Sequence, residues 1–187
     1  ASEDAVNKYG LKPKAIIIDS QWSGLDPAIM GFGPVLSSNE LLRRNKLKLQ
    51  DIETWEINEA FASQVLACLA AWKDDKFCRD VLGLDGAAGE IDRAKLNVDG
   101  GAISLGHPVG TSGNRIVLHL VNAMKRLGTR RGIATECIGG GLGGAVDQRR
   151  GQPRAKAGDA AVVDDAAAAI EQVDHHALRL ARAGRGS

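Results

Sequence analysis

The chain has 187 residues, with 24 Lys and Arg against 23 Asp and Glu, for a formal charge of +1. That length suits one compact domain, and the even charge excludes a nucleic-acid-binding protein, which must neutralise many phosphates. No apolar run reaches the ~20 residues of a membrane helix, no signal peptide is expected, and three scattered cysteines exclude a disulfide framework or zinc knuckle, which points to a reducing, soluble compartment.

Ala1 to Tyr9 reads as a helix without an initiator Met, so the chain is expected to begin inside an element of a longer one. Ala15-Ile-Ile-Ile-Asp19 is a β-branched run and predicts a buried strand. Ser23 to Pro27 reads as a loop, and Ser37-Ser-Asn-Glu40 has the pattern of a capping box opening a helix. Thr54 to Ile57 alternates as a second strand. Ala60 to Trp72 carries Phe61, Val65, Leu69 and Trp72 at helical spacing. Lys73 to Leu96 is charged and Gly-rich, and reads as a surface excursion. Thr111 or Ser112 is placed to cap a long helix with Ile116, Val117, Leu120, Val121, Met124 and Leu127 on one face. Gly132 to Glu136 predicts a strand running into Cys137 and a glycine loop. Strands alternating with helices imply an α/β sheet covered on both faces. After Ala145 the chain turns polar, then rich in Ala, Arg and Asp. Asp164 to Arg182 reads either as an Ala-rich amphipathic helix or as a disordered tail.

Of 23 glycines, 12 fall in three short stretches, which marks particular loops rather than general flexibility. Three constellations carry candidate chemistry. In Asn58-Glu-Ala-Phe-Ala62, Asn58 stands where a helix N-cap would stand, and its amide alternatively holds a water or a substrate oxygen. In Gly100 to Gly113, His107 lies between glycines directly before a helix N-terminus, where backbone amides favour developing negative charge. In Cys137-Ile-Gly-Gly-Gly-Leu-Gly-Gly144, a thiol ends a strand before a nest of glycine N–H groups, which suits work beside an oxyanion; the bland alternative is a small core residue. Cys68 and Cys78 read as core residues. Gly139 to Gly144 also matches G-x-G-x-x-G, but no amphipathic helix follows directly, as a dinucleotide site requires. His175-His176 has no further ligand nearby and reads as solvated, so no metal is expected.

Met30-Gly-Phe-Gly-Pro34, Asn58 to Ala62, Gly100 to Gly110 and Cys137 to Gly141 together resemble the thiolase family, the acetyl-CoA C-acyltransferases, in order and approximate spacing. The resemblance covers Ala1 to about Ala145, and the long Lys73 to Leu96 segment is more similar to the fatty-acid-oxidation thiolases than to the biosynthetic ones. It implies the C-terminal half only: a thiolase-like half-unit with a mixed, five-stranded-type sheet between helix layers. Residues 1–12 would be a remnant of the N-terminal domain, 13–147 the C-terminal domain, and 148–187 an aberrant tail, partly helical or disordered. The implied reaction is thiolytic cleavage of 3-ketoacyl-CoA or the reverse Claisen condensation, with coenzyme A as substrate and no cofactor. His107 would lower the pKa of the nucleophilic Cys and, with a water held by Asn58, bind the thioester oxygen. Cys137 would be the acid/base, the Gly139 N–H would join the second oxyanion hole, and Phe61 would line the acyl or pantetheine end.

The chain departs from the pattern at two places. The family's nucleophilic Cys belongs to the N-terminal half, so this chain is expected to be inactive alone. Where the family finishes its glycine loop with an apolar strand, this chain has Val146-Asp-Gln-Arg-Arg150, and a frayed last strand is expected. Expected partners are acyl-CoA and CoA, the missing half, a second copy in the intact enzyme and a β-oxidation partner subunit; the expected compartment is the bacterial cytoplasm, with the mitochondrion and the peroxisome as alternatives. Two other readings stay open: a non-catalytic interaction module, and a cysteine hydrolase using Cys137, His107 and Asn58.

Overall fold

The computed structural model of the chain describes residues 1–151 and the short strand 161–163. Helix α1 (Glu3–Tyr9) starts on Ser2, whose hydroxyl accepts the Ala5 N–H, and ends on Gly10 in the left-handed conformation that glycine adopts most cheaply. Strand β1 (Ala15–Gly24) is longer than its β-branched core, running on to Gly24 inside the stretch expected to be loop, with a bulge between Ile17 and Asp19. A 3-10 turn (Pro27–Phe32) leads into α2 (Gly33–Arg44). The capping box expected at Ser37 is not a helix start. Pro34, in the first turn of α2, marks the true beginning, where its missing N–H is no loss. Ser37 lies buried one turn in and donates its hydroxyl to the Gly33 carbonyl at 2.9 Å.

Strand β2 (Thr54–Ile57) is buried throughout, and α3 (Ala62–Lys73) follows it. The segment after α3 is not the surface excursion its charge suggests. It folds a short helix, α4 (Asp75–Asp80), and contributes Cys78, Leu82 and Ile91 to the cluster holding Trp55 and Trp72. Its charged side chains are exposed, while those three apolar side chains turn into the core. Helices α5 (Ala102–Leu105) and α6 (Val109–Leu127) precede the last strands, β3 (Arg131–Ile138), β4 (Leu142–Arg149) and β5 (Ala161–Val163).

The strand order is β2-β3-β4-β1-β5, with β2 and β3 parallel and the other pairs antiparallel. This is the mixed sheet between helix layers that the motifs imply. Alternation along the strands divides the core. Trp55, Ile57, Ile133 and Ala145 pack with Val35 and Leu41 of α2 and Val65 and Leu69 of α3, while Ala134 packs with Ile116, Val117, Leu120 and Met124 of α6. Helix α2 lies across β4 at a glycine crossing. A Cβ on Gly33 would stand 2.6 Å from the Leu142 carbonyl oxygen, and one on Gly143 would meet the Gly33 backbone.

Strand β4 corrects the expectation of a frayed end. It is paired on both sides, by β3 and by β1, as far as Arg149. Asp147 and Gln148 are both fully buried. Each has a partner that makes burial tolerable. The Arg131 guanidinium donates to both Asp147 oxygens, at 3.1 and 3.2 Å from Nε, and Gln148 Nε2 donates to the Val117 carbonyl of α6 at 3.3 Å. Arg150 then closes the end of α6, donating to the carbonyls of Thr129 and Gly128. The stretch 164–182, expected to be helix or tail, and His175-His176 lie outside the described residues.

Candidate active site

The parallel pair β2 and β3 sets the site. Ligands of open α/β sheets gather at the carboxyl ends of parallel strands, where loops leave and helices begin. Ile57, the last residue of β2, stands opposite Thr135, and the Asn58 N–H continues the ladder by donating to the Thr135 carbonyl at 2.9 Å. Asn58 and Cys137 therefore leave neighbouring strands at the same end of the sheet.

Asn58 is not an N-cap. Helix α3 begins at Ala62 with Phe61 at the cap position, three residues beyond. The Asn58 side chain, 1% exposed, instead places Nδ2 3.4 Å from His107 Nε2. Its Oδ1 is buried without a protein hydrogen-bond partner, which a buried amide rarely tolerates away from a functional site. His107 precedes α6, whose first residue is Val109, so the Ser112 cap is also corrected. Ser112 lies inside the first turn, fully buried, and its hydroxyl oxygen sits 2.6 Å from His107 Nδ1. Two motifs separated by 49 residues, the Asn58 segment and the glycine-histidine segment, thus meet at one imidazole.

Glu59 holds them together. Its carboxylate accepts the Asn97 amide at 2.8 Å through one oxygen and the Ile103 N–H at 3.1 Å through the other. Gly101 lies against that carboxylate so closely that a Cβ would collide with it. Asn97 also pairs its side-chain amide with both the N–H and the carbonyl of Ile57, each at 2.9 Å. Arg115 of α6 ties the far end of the loop by donating to the Gly106 carbonyl at 2.7 Å. The loop from Gly100 to Gly106 is therefore fastened to the end of β2 before it delivers His107.

Cys137, the last residue but one of β3, is half-buried. Burial pushes its thiol above the ordinary range, and the Glu136 charge adds to the shift. Among the described residues no hydrogen bond joins Cys137 or Gly139 to His107 or Asn58. Gly139 opens the three-glycine turn between β3 and β4; Gly140 and Gly141 have φ of 87° and 82°, and the Gly141 carbonyl accepts the Leu25 N–H at 2.8 Å. Phe61 is 61% exposed beside this end of the sheet. Cys68 and Cys78 are fully buried, and burial pushes the Cys68 thiol up to about 12.

Sequence reasoning passed over a second cluster on the α6 face. Glu56, two residues before Asn58, is buried and faces His119, whose Nδ1 lies 2.8 Å from Glu56 Oε1 and whose Nε2 lies 2.9 Å from Asp99 Oδ2. Arg126 pairs with Asp99 in turn. Burial raises the Glu56 carboxyl to about 7 against the pull of His119. The one available signal was the spacing of His119 and Arg126, two turns apart on the helix face toward β2. No group of three or more His, Cys, Asp or Glu among the described residues is arranged to hold a metal ion.

Residues 11–149 match the family described as thiolase, C-terminal domain. The chain belongs to the thiolase family. It is 46% identical over 142 residues to the 3-ketoacyl-CoA thiolase of Aliivibrio salmonicida, covering 76% of this chain and 33% of that one. It is 43% identical over 146 residues to the human mitochondrial 3-ketoacyl-CoA thiolase, covering 78% of this chain and 32% of that one. The crystal structure of the human mitochondrial enzyme in complex with CoA superposes with a TM-score of 0.67 over 81% of this chain and 34% of that chain. The chain thus spans about a third of the length of the thiolases it matches. Those relatives include bacterial and mitochondrial proteins, and no helix among the described residues is long and apolar enough to cross a membrane.

Proposed function

We propose that this thiolase domain supplies the proton-handling and oxyanion-binding part of a 3-ketoacyl-CoA thiolase, acting in the cytoplasm on a 3-ketoacyl-CoA and CoA. The nucleophilic cysteine comes from the part of the thiolase that this chain does not span. The observation that carries the reading is the approach of Asn58 to His107 at the end of β2, beside the strand that bears Cys137 near its end. In this assignment His107 Nε2 takes the proton of the nucleophilic thiol, which then attacks the ketone carbon. Asn58, through a bound water, and His107 bind the thioester oxygen as negative charge moves onto it. Carbon–carbon cleavage leaves the acetyl-CoA carbanion as an enolate, and Cys137 returns a proton to that carbon. A thiol whose pKa is raised by burial holds its proton at neutral pH and is suited to give it to a carbanion. The Gly139 N–H faces the acyl-enzyme, and exposed Phe61 lines the acyl or pantetheine end. CoA then carries off the acyl group, completing a ping-pong cycle.

The cysteine-hydrolase alternative lacks support, since among the described residues no hydrogen bond joins Cys137 to His107 or Asn58, which it would need as base and orienter. The deciding experiment joins this chain to the Aliivibrio salmonicida thiolase in place of that enzyme's own C-terminal third, and assays 3-ketoacyl-CoA cleavage. Turnover by the chimera and none by the 187-residue chain alone is expected. Cleavage by the chain alone, or a folded chimera without turnover, overturns the assignment.

A further inference from the structure

Ser112 is the only described side chain within hydrogen-bond reach of His107 Nδ1. Its own single proton decides what it can offer the ring. A serine inside a helix commonly turns its hydroxyl back to the carbonyl four residues earlier. Ser112 has that geometry, with Oγ 3.2 Å from the Pro108 carbonyl oxygen, and Ser37 does the same toward Gly33 in α2. A hydroxyl that donates to Pro108 can only accept from the imidazole. Nδ1 then carries the proton, and Nε2 keeps its lone pair, pointing toward the Asn58 amide N–H at 3.4 Å.

We infer that Ser112 is a positioning residue that holds His107 in its Nδ1–H tautomer, so that Nε2 faces the end of β2 as a proton acceptor. The inference rests on the proposed role of His107, because a ring with its proton on Nε2 could not receive one from a thiol there. The fold makes the choice rigid. Ser112 is fully buried, α6 fixes it in the first turn, and the backbone N–H groups of Thr111 and Ser112 anchor that turn on the same Pro108 carbonyl at 2.7 and 2.9 Å. In water a histidine side chain prefers the Nε2–H form, so this site sets the ring against its ordinary preference. A reversed relay is the competing arrangement. The Ser112 hydroxyl would donate to Nδ1, Nε2–H would point at Asn58, and the Asn58 amide would be turned over so that Oδ1 accepts it.

Nitrogen-15 NMR of the imidazole in the folded 187-residue chain separates the two, because protonated and lone-pair ring nitrogens resonate far apart. His107 is expected to be predominantly Nδ1–H when neutral, to remain so in Ser112→Thr, and to shift to predominantly Nε2–H in Ser112→Ala. Wild-type His107 in the Nε2–H form overturns the inference directly, even if a variant fails to fold. An unchanged tautomer in well-folded Ser112→Ala overturns it as well. Turnover of the chimera is a separate readout. There Ser112→Ala should lower kcat about tenfold or more with little change in KM and a shifted pH profile, and Ser112→Thr should restore it. If the tautomer changes as expected while turnover does not, Ser112 does position the ring and it is the role given to His107 that fails.

Discussion

Single side chains at this site do work that their residue types alone leave ambiguous. Asn58 has the type and place of a helix cap, and only the long approach of residues 100–107 reveals that its amide faces an imidazole. His107 and Cys137 stood out in the sequence as candidates because glycines crowd both, and glycine spacing survives as a one-dimensional pattern. Glu59, Asn97, Ser112 and His119 did not, because each acts through a partner that the fold brings from elsewhere in the chain. In the chimera, His107→Ala and Cys137→Ala should each lower kcat by about two orders of magnitude or more, and Asn58→Ala by less, since in the proposed role it works through a water. A Cys137→Ala enzyme with most of its activity would return that thiol to the core. Glu56 makes a prediction about pH. Its folded pKa of about 7 lies above the ordinary 4.5, so across that window the folded chain holds a proton that the unfolded chain has lost. Stability should therefore fall as pH rises from about 4.5 to about 7 and level off above. His119 faces Glu56 directly, and Asp99, on the far nitrogen of His119, and Glu59 contribute repulsion. Urea melts across this range should give wild type a steeper loss than Glu56→Gln. Parallel profiles for the two proteins would rule Glu56 out as the source.

At the level of elements, the strand the sequence concealed is the one that matters most to the sheet. Val146-Asp-Gln-Arg-Arg150 has too many polar residues to be recognised as a central strand, and hydrophobic pattern is the main strand signal. Strand β4 succeeds because its buried polar side chains find partners, Asp147 in Arg131 and the Gln148 amide N–H in the Val117 carbonyl, although Gln148 Oε1 stays without one. Such a strand depends on its partners. Asp147→Ala leaves Arg131, itself partly buried, without its carboxylate and should destabilise the domain by about 3 kcal/mol. Thermal and urea denaturation of the variant measure that loss, and a change within error would mean that solvent replaces the carboxylate freely. The opposite case is α3, whose apolar spacing placed it correctly to within two residues, since its pattern needs no distant partner.

The whole molecule is a sheet whose centre comes late in the chain. Strand β4 lies between β1 and β3, so residues up to Arg149 are required before either pairing is complete. A chain cut after Gly151 should keep cooperative unfolding, whereas one cut after Ala145 loses Asp147, Gln148 and half of β4 and should not fold. Circular dichroism melts of the two truncations decide this, and a cooperative transition in the shorter one would contradict it. The two rims of the sheet are finished differently. The outer rim of β1 receives β5, in register at Ala15–Val163, Ile16–Val162 and Ile17–Ala161. Among the described residues the outer rim of β2 receives almost no strand, only the Trp55–Leu96 bridge and then the Asn97 side chain, which takes up both backbone groups of Ile57. Asn97 stands at φ 46°, a conformation that asparagine tolerates better than most residues. The solvent-exchange clock of the Ile57 amide is therefore set by a side chain 40 residues away rather than by a neighbouring backbone. In Asn97→Ala the Ile57 proton should exchange with deuterium much sooner, while the Asn58 proton, bonded inward to Thr135, keeps its pace.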